Sequence, residues 1–393
     1  MSTMAAPMHL MNTYSKWPIR LVKGEGNRVW DDQGNEYLDF VSGIAVTSLG
    51  HVHPKVTKRL HEQLDTLWHC SNLMHVPQQE VLAQKLCGLS GLDRAFFCNS
   101  GAEANEGMIK LARRYAQKVQ GTGRYEIITF QQSFHGRTLA TLTATGQDKV
   151  KDGFGPLPDG FVTVPYNDLE AVRAAVTEKT CAIMLELVQG EGGVHPAEEP
   201  FVKGLRQLCD EHGLLLLIDE IQTGIGRTGT WFAFQQYGIK PDVISLAKAL
   251  GNGFPIGAVV ATEAAAEAFA PGTHGTTFGG NPLAMTAAIA TLETMEEEHV
   301  LNRVGILHRQ LVSGLEKLRA EYPGKVLAVR GKGLLLGVEV TVPASSIVDY
   351  AREKGVLVLL AGPQVVRLLP SFVTTEEEVN RVIEVIGEAM ENL

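Results

Sequence analysis

The 393-residue chain predicts an α/β protein with a central mixed, mostly parallel sheet flanked by helices, and a smaller α+β domain. Two patterns support this class. Short apolar runs of β-forming residues alternate with amphipathic helical segments through the middle of the chain. After Asn281 the order changes to two long helical segments followed by closely spaced short strands. The length suits two units, because a single hydrophobic core rarely grows beyond about 250–300 residues.

The central sheet is predicted from six apolar runs, at 94–98, 126–130, 181–187, 214–219, 243–246 and 256–261. Amphipathic segments at 104–118 and 200–212 are long enough to be the helices that connect parallel strands. These alternating elements indicate a doubly wound arrangement, in which ligands bind at the carboxyl ends of the strands.

The C-terminal part begins with helical patterns at 282–297 and 301–321 and continues with strands at 325–330, 334–340, 356–360 and 365–369. Thr375 and Glu378 have the spacing of a capping box that opens a final helix. A hairpin over 30–39, with the turn Asp-Gln-Gly-Asn, is expected to join this C-terminal part rather than the central sheet.

Composition narrows the possible functions. The chain has 44 acidic and 35 basic residues, and its formal charge of -9 argues against an extended nucleic-acid-binding surface. No apolar run approaches the roughly 20 residues that cross a bilayer, so no membrane segment is expected. The five cysteines are scattered without a CxxC pair, which predicts reduced thiols, no metal site and a cytoplasmic location. The first 16 residues lack a signal-peptide pattern and are interpreted as an arm.

Two strand ends carry the most informative residues. The run 214–219 ends in Asp219, which therefore faces the predicted crevice, although an aspartate there could equally cap the next turn. The run 243–246 delivers Lys248 to the same edge. Burying an ammonium is costly unless it is paired or its pKa falls, and an imine with an aldehyde cofactor accounts for such a lysine. Asp219 would then keep a pyridinium nitrogen protonated. The alternative for Lys248 is a surface lysine whose ammonium reaches water.

A third segment, Asn99-Ser100-Gly101-Ala102, joins a strand to a helix. Backbone N–H groups at such a helix start, together with the Ser100 hydroxyl, can bind a phosphate. A Ser-Gly turn alone is a weak signal, and its position directly after a strand strengthens it.

These segments together resemble the class III (ω-type) pyridoxal-phosphate-dependent aminotransferases of fold type I, and within them the acetylornithine aminotransferase subgroup. The resemblance covers nearly the whole chain, from 43–46 and 50–54 to 367–370. It implies an N-terminal arm with part of the small domain at 1–50, a large PLP-binding domain at 51–290 and a small domain at 291–393. The sequence departs from the family at Leu187, where proline is usual, and at Asn252, where a third glycine is common.

The resemblance also implies the residues of the site. Lys248 is the imine lysine, Phe134 stacks on the pyridine ring, and Gln222 contacts the ring hydroxyl. Catalytic roles fall to Lys248, Asp219 and Glu186, the last placed near the imine. The set expected to bind pyridoxal 5'-phosphate is Ser100, Gly101, Ala102, Phe134, Asp219, Glu220, Ile221, Gln222, Lys248 and Thr277.

For the substrates, the resemblance implies that Arg137 binds a carboxylate and that Glu191 pairs with Arg367. Guanidinium suits both tasks because it can bind a carboxylate through two parallel hydrogen bonds. Thr277 is expected to reach the cofactor phosphate of a second subunit, and Thr276 its substrate, so a homodimer is implied. The two arginines favour a dicarboxylate amino acceptor, 2-oxoglutarate, and the donor is expected to be N2-acetylornithine, aminated at its δ position, as in arginine biosynthesis. That choice of donor rests on the segment 68–72 and Thr276.

Other functions remain open. Ornithine, succinylornithine or 4-aminobutyrate aminotransferases would look similar, and an aminomutase or decarboxylase could use the same cofactor residues. The segment 224–229 matches GxGxxG, but no amphipathic helix follows it, which weighs against a nicotinamide-dependent oxidoreductase. His51 and His53 lack the acidic or thiolate neighbours of a zinc site and are interpreted as structural.

Overall fold

The computed structural model describes residues 9–392. Its strands are β1 (Leu21–Glu25), β2 (Arg28–Asp31), β3 (Glu36–Asp39), β4 (Arg94–Cys98), β5 (Glu126–Phe130), β6 (Phe161–Val164), β7 (Thr180–Glu186), β8 (Val188–Gln189), β9 (His195–Pro196), β10 (Leu215–Asp219), β11 (Val243–Leu246), β12 (Gly257–Ala261), β13 (Val326–Lys332), β14 (Leu335–Val340), β15 (Val356–Leu357), β16 (Leu359–Leu360) and β17 (Val365–Leu368).

The helical elements begin with α1 (Ser42–Ala45), a single turn whose residues all have positive φ. The others are α2 (Pro54–Leu64), α3 (Pro77–Ser90), α4 (Gly101–Arg114), α5 (Leu139–Ala144), α6 (Leu169–Ala175), α7 (Glu199–His212), α8 (Glu263–Ala266), α9 (Pro282–Glu297), α10 (Val300–Glu321), α11 (Ala344–Glu353) and α12 (Glu376–Asn392). Within the described range, no helix is both long and apolar enough to span a membrane.

Seven strands form the large sheet, in the order β4-β12-β11-β10-β7-β5-β6. Every neighbouring pair is parallel except the two pairs that β12 makes with β11 and β4. The predicted mixed, mostly parallel sheet is therefore confirmed. Its central strands β7, β10 and β11 are buried along their whole length, as expected for strands covered on both faces.

The C-terminal strands form a small sheet, β13-β14-β17-β16, and the predicted hairpin β2–β3 pairs with the C-terminal strand β15. The capping box is confirmed, since Thr375 accepts a hydrogen bond from the Glu378 backbone at 3.2 Å and Glu378 accepts one from the Thr375 backbone at 3.0 Å. The single strand predicted at 356–360 was wrong. The chain changes partner there, because β15 pairs with β3 whereas β16 pairs with β17.

Candidate active site

A cavity of about 460 Å³ opens where β7, β10 and β11 end and where α4 begins. This is the edge of an α/β sheet at which ligands bind. The lining contains most of the residues singled out from the sequence: Ser100, Gly101, Ala102, Phe134, Arg137, Glu186, Asp219, Ile221, Gln222 and Lys248. The other predicted residues lie outside the lining: Glu191, Glu220, Thr276, Thr277 and Arg367.

Asp219 ends β10 and is almost completely buried. Its Oδ2 accepts hydrogen bonds from Asn105 at 2.7 Å and from His135 Nδ1 at 2.8 Å, while its Oδ1 accepts one from the Ile221 backbone at 3.0 Å. A carboxylate is acceptor-only and can take all three. The position and orientation of Asp219 are therefore defined by its neighbours.

Sequence reasoning missed the polar residues that hold Asp219. Ser245, in the middle of the apolar strand β11, donates to Asn105 at 2.6 Å, and Asn105 also donates to the His135 carbonyl at 2.8 Å. All three side chains are buried. A signal was present, because Asn105 lies on the apolar face of α4 and buried polar side chains require partners.

Lys248 follows β11 and has a left-handed backbone conformation, with φ of 45°. Burial is the main cause that lowers the pKa of its ammonium, and the positive charge of Arg367 adds to it. The carboxylates of Glu191, Asp219 and Glu186 oppose this shift. A lowered pKa leaves more of the amine unprotonated and therefore nucleophilic.

Glu186 ends β7 directly beside Asp219 in the parallel pair. Its Oε2 accepts a hydrogen bond from the Phe134 backbone at 2.9 Å. Burial raises the pKa of Glu186 well above its ordinary value, and the charge of Asp219 raises it further. The cavity thus contains one carboxyl group that favours its protonated form next to a second that accepts three hydrogen bonds.

The start of α4 forms one end of the cavity. Ser100 is the N-cap and accepts a hydrogen bond from the Glu103 backbone at 3.2 Å, which leaves its hydroxyl proton free to be donated. Gly101 lies where any side chain would be within 2.9 Å of Ile221. Ser100, Gly101 and Ala102 all line the cavity, so the helix N-terminus faces it, as an anion site of this kind requires.

Phe134 and Arg137 lie on the same loop at the edge of the cavity. The Arg137 guanidinium is exposed and lies 5.7 Å from the centre of the Phe134 ring. An arginine held by an aromatic face and not by a carboxylate keeps its hydrogen-bond donors available.

Arg367, on β17, is buried and donates to Glu191 through both terminal nitrogens, at 2.5 Å and 3.2 Å. Although burial raises the pKa of Glu191, the charge and hydrogen bonds of Arg367 reverse this, and the net pKa is lowered. The sequence-predicted pair is thus formed. Gln222 links it to the cavity, since its side chain contacts both members and also lines the cavity.

Thr276 and Thr277 do not reach the cavity of their own chain. Thr276 accepts a hydrogen bond from the Asn99 side chain at 3.2 Å, and Thr277 is exposed. This placement is compatible with the expected contribution to a second subunit, which stays a prediction.

Asn252, where the family commonly has glycine, has φ of 45°. Asparagine tolerates this left-handed conformation better than most residues. Its side chain accepts a hydrogen bond from the Leu49 backbone at 2.8 Å and donates one to the Gly50 carbonyl at 3.2 Å. The departure therefore ties the loop after Lys248 to the N-terminal segment and leaves the turn intact.

The signals discounted from the sequence have structural roles. Arg227, within the GxGxxG-like segment, is fully buried and donates to the carbonyls of Leu334 and Pro370, so this segment packs against the small sheet. His51 pairs with Asp39 at 2.7 Å, and His53 lies 3.7 Å from Glu298. Across residues 9–392, no group of three or more His, Cys, Asp or Glu side chains could hold a metal ion.

Glu220 is turned away from the cavity. It is buried, and it accepts hydrogen bonds from the Thr223 hydroxyl at 2.5 Å and the Phe234 backbone at 2.9 Å. Burial is the main cause that raises its pKa to about 7. When folding raises the pKa of an acid, the folded state is most stable relative to the unfolded state at low pH, where the acid is protonated in both. This stability is lost as the pH rises from the pKa in the unfolded state to the pKa in the folded state.

We therefore expect Glu220→Gln to be more thermostable than the wild type at pH 8 and to differ little from it near pH 4.5. A rise of the pKa from 4.5 to about 7 corresponds to a loss of at most about 3.5 kcal/mol, because one pKa unit is about 1.4 kcal/mol. Thermal unfolding of both proteins across this pH range measures the difference, with Glu178→Gln, at an exposed position, as the control. A stability gain that is independent of pH would contradict the assignment.

The residues in the cavity fit pyridoxal phosphate. Lys248 supplies an amine for its aldehyde, Asp219 a carboxylate for its ring nitrogen, Phe134 an aromatic face, and the start of α4 donors for its phosphate. When bound, this cofactor supplies a carbonyl that bonds covalently to amines and a ring that withdraws electrons.

Comparisons with known proteins agree with this fit. The family described as aminotransferase class-III matches residues 10–390. Acetylornithine aminotransferases from Caldanaerobacter subterraneus and Halalkalibacterium halodurans are 50% and 52% identical, each over 98% of both chains. Among solved structures, N-acetylornithine aminotransferase from Stenotrophomonas maltophilia has a TM-score of 0.83 at 39% identity, covering 95% of this chain and 96% of its own. Ornithine aminotransferase from Toxoplasma gondii has a TM-score of 0.94 at 32% identity, covering 98% and 93%. The chain belongs to the class-III aminotransferases, which are pyridoxal-phosphate-dependent enzymes.

Proposed function

We propose that this chain transfers the δ-amino group of N2-acetylornithine to 2-oxoglutarate, giving N-acetylglutamate semialdehyde and glutamate, a step of arginine biosynthesis. The names of the relatives at about half identity support the donor. The observation that carries the proposal is the contrast between two arginines. Arg367 is covered by Glu191, whereas Arg137 is exposed at the edge of the cavity.

This contrast answers the main difficulty of the reaction. The donor is aminated far from its carboxylate, whereas 2-oxoglutarate has a carboxylate next to its reacting carbonyl. A free arginine beside Lys248 would attract the wrong end of the donor. With Arg367 neutralised by Glu191, the donor carboxylate binds Arg137, and its amino end is directed to Lys248. When 2-oxoglutarate enters, one carboxylate replaces Glu191 on Arg367 and the other binds Arg137.

Within this proposal, the chain's own groups handle the protons. The Lys248 amine, whose unprotonated form burial favours, would take the proton from the amino-bearing carbon of the donor in the first half-reaction. In the second half-reaction it would give a proton to the carbon of 2-oxoglutarate that becomes aminated. Asp219 keeps the ring nitrogen protonated. Burial raises the pKa of Glu186 well above its ordinary value, and this favours a neutral carboxyl group beside Asp219.

The assay that tests the proposal supplies 2-oxoglutarate with N-acetylornithine, succinylornithine, ornithine or 4-aminobutyrate in turn and measures the glutamate formed. The largest kcat/KM is expected with N-acetylornithine. A largest value with ornithine would favour the activity named for the Toxoplasma structure, and no glutamate from any donor would refute the proposal.

Removing the Glu191 carboxylate that pairs with Arg367 should affect the two half-reactions unequally. In Glu191→Ala, the donor half-reaction should slow by roughly 10- to 100-fold, because an unpaired buried arginine misdirects the donor, at about 1.4 kcal/mol per tenfold. Reaction with 2-oxoglutarate should change little, and discrimination against α-amino donors should weaken.

Single-turnover absorbance measurements of each half-reaction test this expectation. Glu339→Ala is a matched control, since it removes the partner of another partly buried arginine, Arg330, outside the cavity lining. Equal losses in both half-reactions, with unchanged donor preference, would show that Glu191 does not control access to Arg367.

We also propose a homodimer in which Thr276 and Thr277 of each copy complete the active site of the other copy. Apolar side chains near this segment are strongly exposed: Trp68 is 61% exposed, Leu73 91% and Phe278 64%. Contiguous exposure of this kind marks protein interfaces. Light scattering should give twice the 42.6 kDa of one chain, and a monomeric holoenzyme with full activity would contradict the shared site.

The five free thiols suit a reducing compartment, and we propose a cytoplasmic location on that basis.

A further inference from the structure

We propose that Gln222 holds Glu191 on Arg367 and thereby determines how readily a carboxylate substrate replaces Glu191. This role goes beyond the cofactor contact expected for Gln222, and it rests on the proposed exchange of carboxylates at Arg367. Gln222 is a positioning residue that acts through Glu191.

The side-chain amide of Gln222 contacts both members of the pair. Its Nε2 donates to Glu191 Oε1 at 3.4 Å, and its Oε1 accepts from Arg367 at 3.3 Å. Only this orientation of the amide works, because the reverse would direct an NH2 group at the donors of the guanidinium and an oxygen at the carboxylate. A single side chain thus stabilises the paired arrangement from both sides.

Gly190 provides the space for this amide. A Cβ at Gly190 would lie 2.1 Å from Gln222 Oε1 and 2.6 Å from its Cδ. Gly190 has no positive φ, so its lack of a side chain serves this close approach and not an unusual backbone conformation. Its carbonyl also accepts a hydrogen bond from Arg367 at 2.8 Å, which fixes the guanidinium next to the amide.

The members of the pair differ in exposure to solvent. The Arg367 side chain is 2% exposed, whereas that of Glu191 is 28% exposed and reaches the solvent side. Exchange must therefore proceed by departure of Glu191, which breaks its hydrogen bond to Gln222. Because the departure of Glu191 breaks this bond, Gln222 makes that departure less favourable and so disfavours the binding of an α-carboxylate at Arg367.

Glutarate provides the test, since this dicarboxylate lacks a reactive carbonyl and its binding to holoenzyme can be measured by calorimetry. Gln222→Met keeps the length of the side chain and removes both hydrogen bonds. We expect the Kd for glutarate to fall roughly fivefold, which corresponds to the typical net contribution of one hydrogen bond, about 1 kcal/mol. Gly190→Ala, which displaces the amide without removing it, should change the Kd in the same direction.

A double-mutant cycle separates this role from a general structural one. In a Glu191→Ala background, Gln222→Met should leave the glutarate Kd unchanged, because the group that Gln222 holds is gone. Gln207→Met, on the exposed face of α7, is the control for the chemical change. Each variant is saturated with cofactor, and its cofactor content is measured by absorbance.

An unchanged or increased Kd in Gln222→Met, or a decrease of the same size in the Glu191→Ala background, would overturn the proposal. These outcomes are independent of the donor, because glutarate binding involves no amino group. If the donor assay selects a different ω-amino compound, the proposed function fails while the role of Gln222 is still tested by the same binding measurements.

Discussion

Lys248→Ala should reduce transamination by about four orders of magnitude or more, because covalent attachment and proton transfer are lost together. Lys248 follows β11 and lines the cavity, and burial lowers its pKa, which favours the unprotonated amine. Lys248 has a left-handed backbone conformation, and it is the one lysine among residues 9–392 that lines the cavity.

Steady-state assays of Lys248→Ala measure the loss of kcat. Lys240→Ala is the control, because it removes an exposed lysine just before β11. Borohydride reduction of the wild-type holoenzyme followed by peptide mapping should find the pyridoxyl group on Lys248. Addition of a small amine such as methylamine should partly restore the proton transfer in the alanine variant. A pyridoxyl label on a different lysine would remove Lys248 from the mechanism.

The large sheet could be predicted because each central strand is a short, continuous apolar run between helical patterns. The bounds of β4, β5 and β11 agree with the sequence prediction. The edge strand β6, Phe161–Val164, was missed, because four residues with only one fully buried position give no clear period. The division of the predicted strand at 356–360 was also missed, since an apolar run contains no information about a change of partner.

The site was predictable to the extent that strand ends determine it. Asp219, Glu186 and Lys248 meet because β7, β10 and β11 are parallel neighbours and their carboxyl ends share one edge. The surroundings of Asp219 were not predictable in the same way. Asn105 comes from α4 and His135 from the loop between β5 and α5, and only the packing of both segments against the sheet brings them to the carboxylate.

The same distinction explains Glu220 and Gln222. The chain turns after β10, so the side chains of these two residues point into different surroundings although only Ile221 separates them. Glu220 packs under Phe234, whereas Gln222 reaches the cavity and the Glu191–Arg367 pair. The family resemblance placed both in the predicted cofactor set, and the backbone turn after Asp219 separates their side chains.

The network around Asp219 leads to the second large effect, expected for Asp219→Asn. The substitution keeps the size of the side chain but removes its charge and replaces an acceptor with an NH2 group. Asp219 Oδ2 already accepts from Asn105 and His135, and Oδ1 accepts from the Ile221 backbone, so an NH2 group at either position faces donors. The asparagine therefore lacks the charge and also loses hydrogen bonds to the surrounding donors. It cannot keep the cofactor ring nitrogen protonated.

Loss of a preorganised electrostatic group of this kind typically costs 10²- to 10³-fold in rate, and the added mismatch brings the expected loss to roughly 10³- to 10⁴-fold in the proton-transfer step. Single-turnover rates with N-acetylornithine measure it, and the cofactor affinity should weaken in parallel. Asp210→Asn, at an exposed aspartate of α7, controls for the chemical change. Activity within a few fold of the wild type would mean that the charge of Asp219 is not used, and that its three hydrogen bonds serve only to hold α4, the loop of His135 and the turn at Ile221 in place.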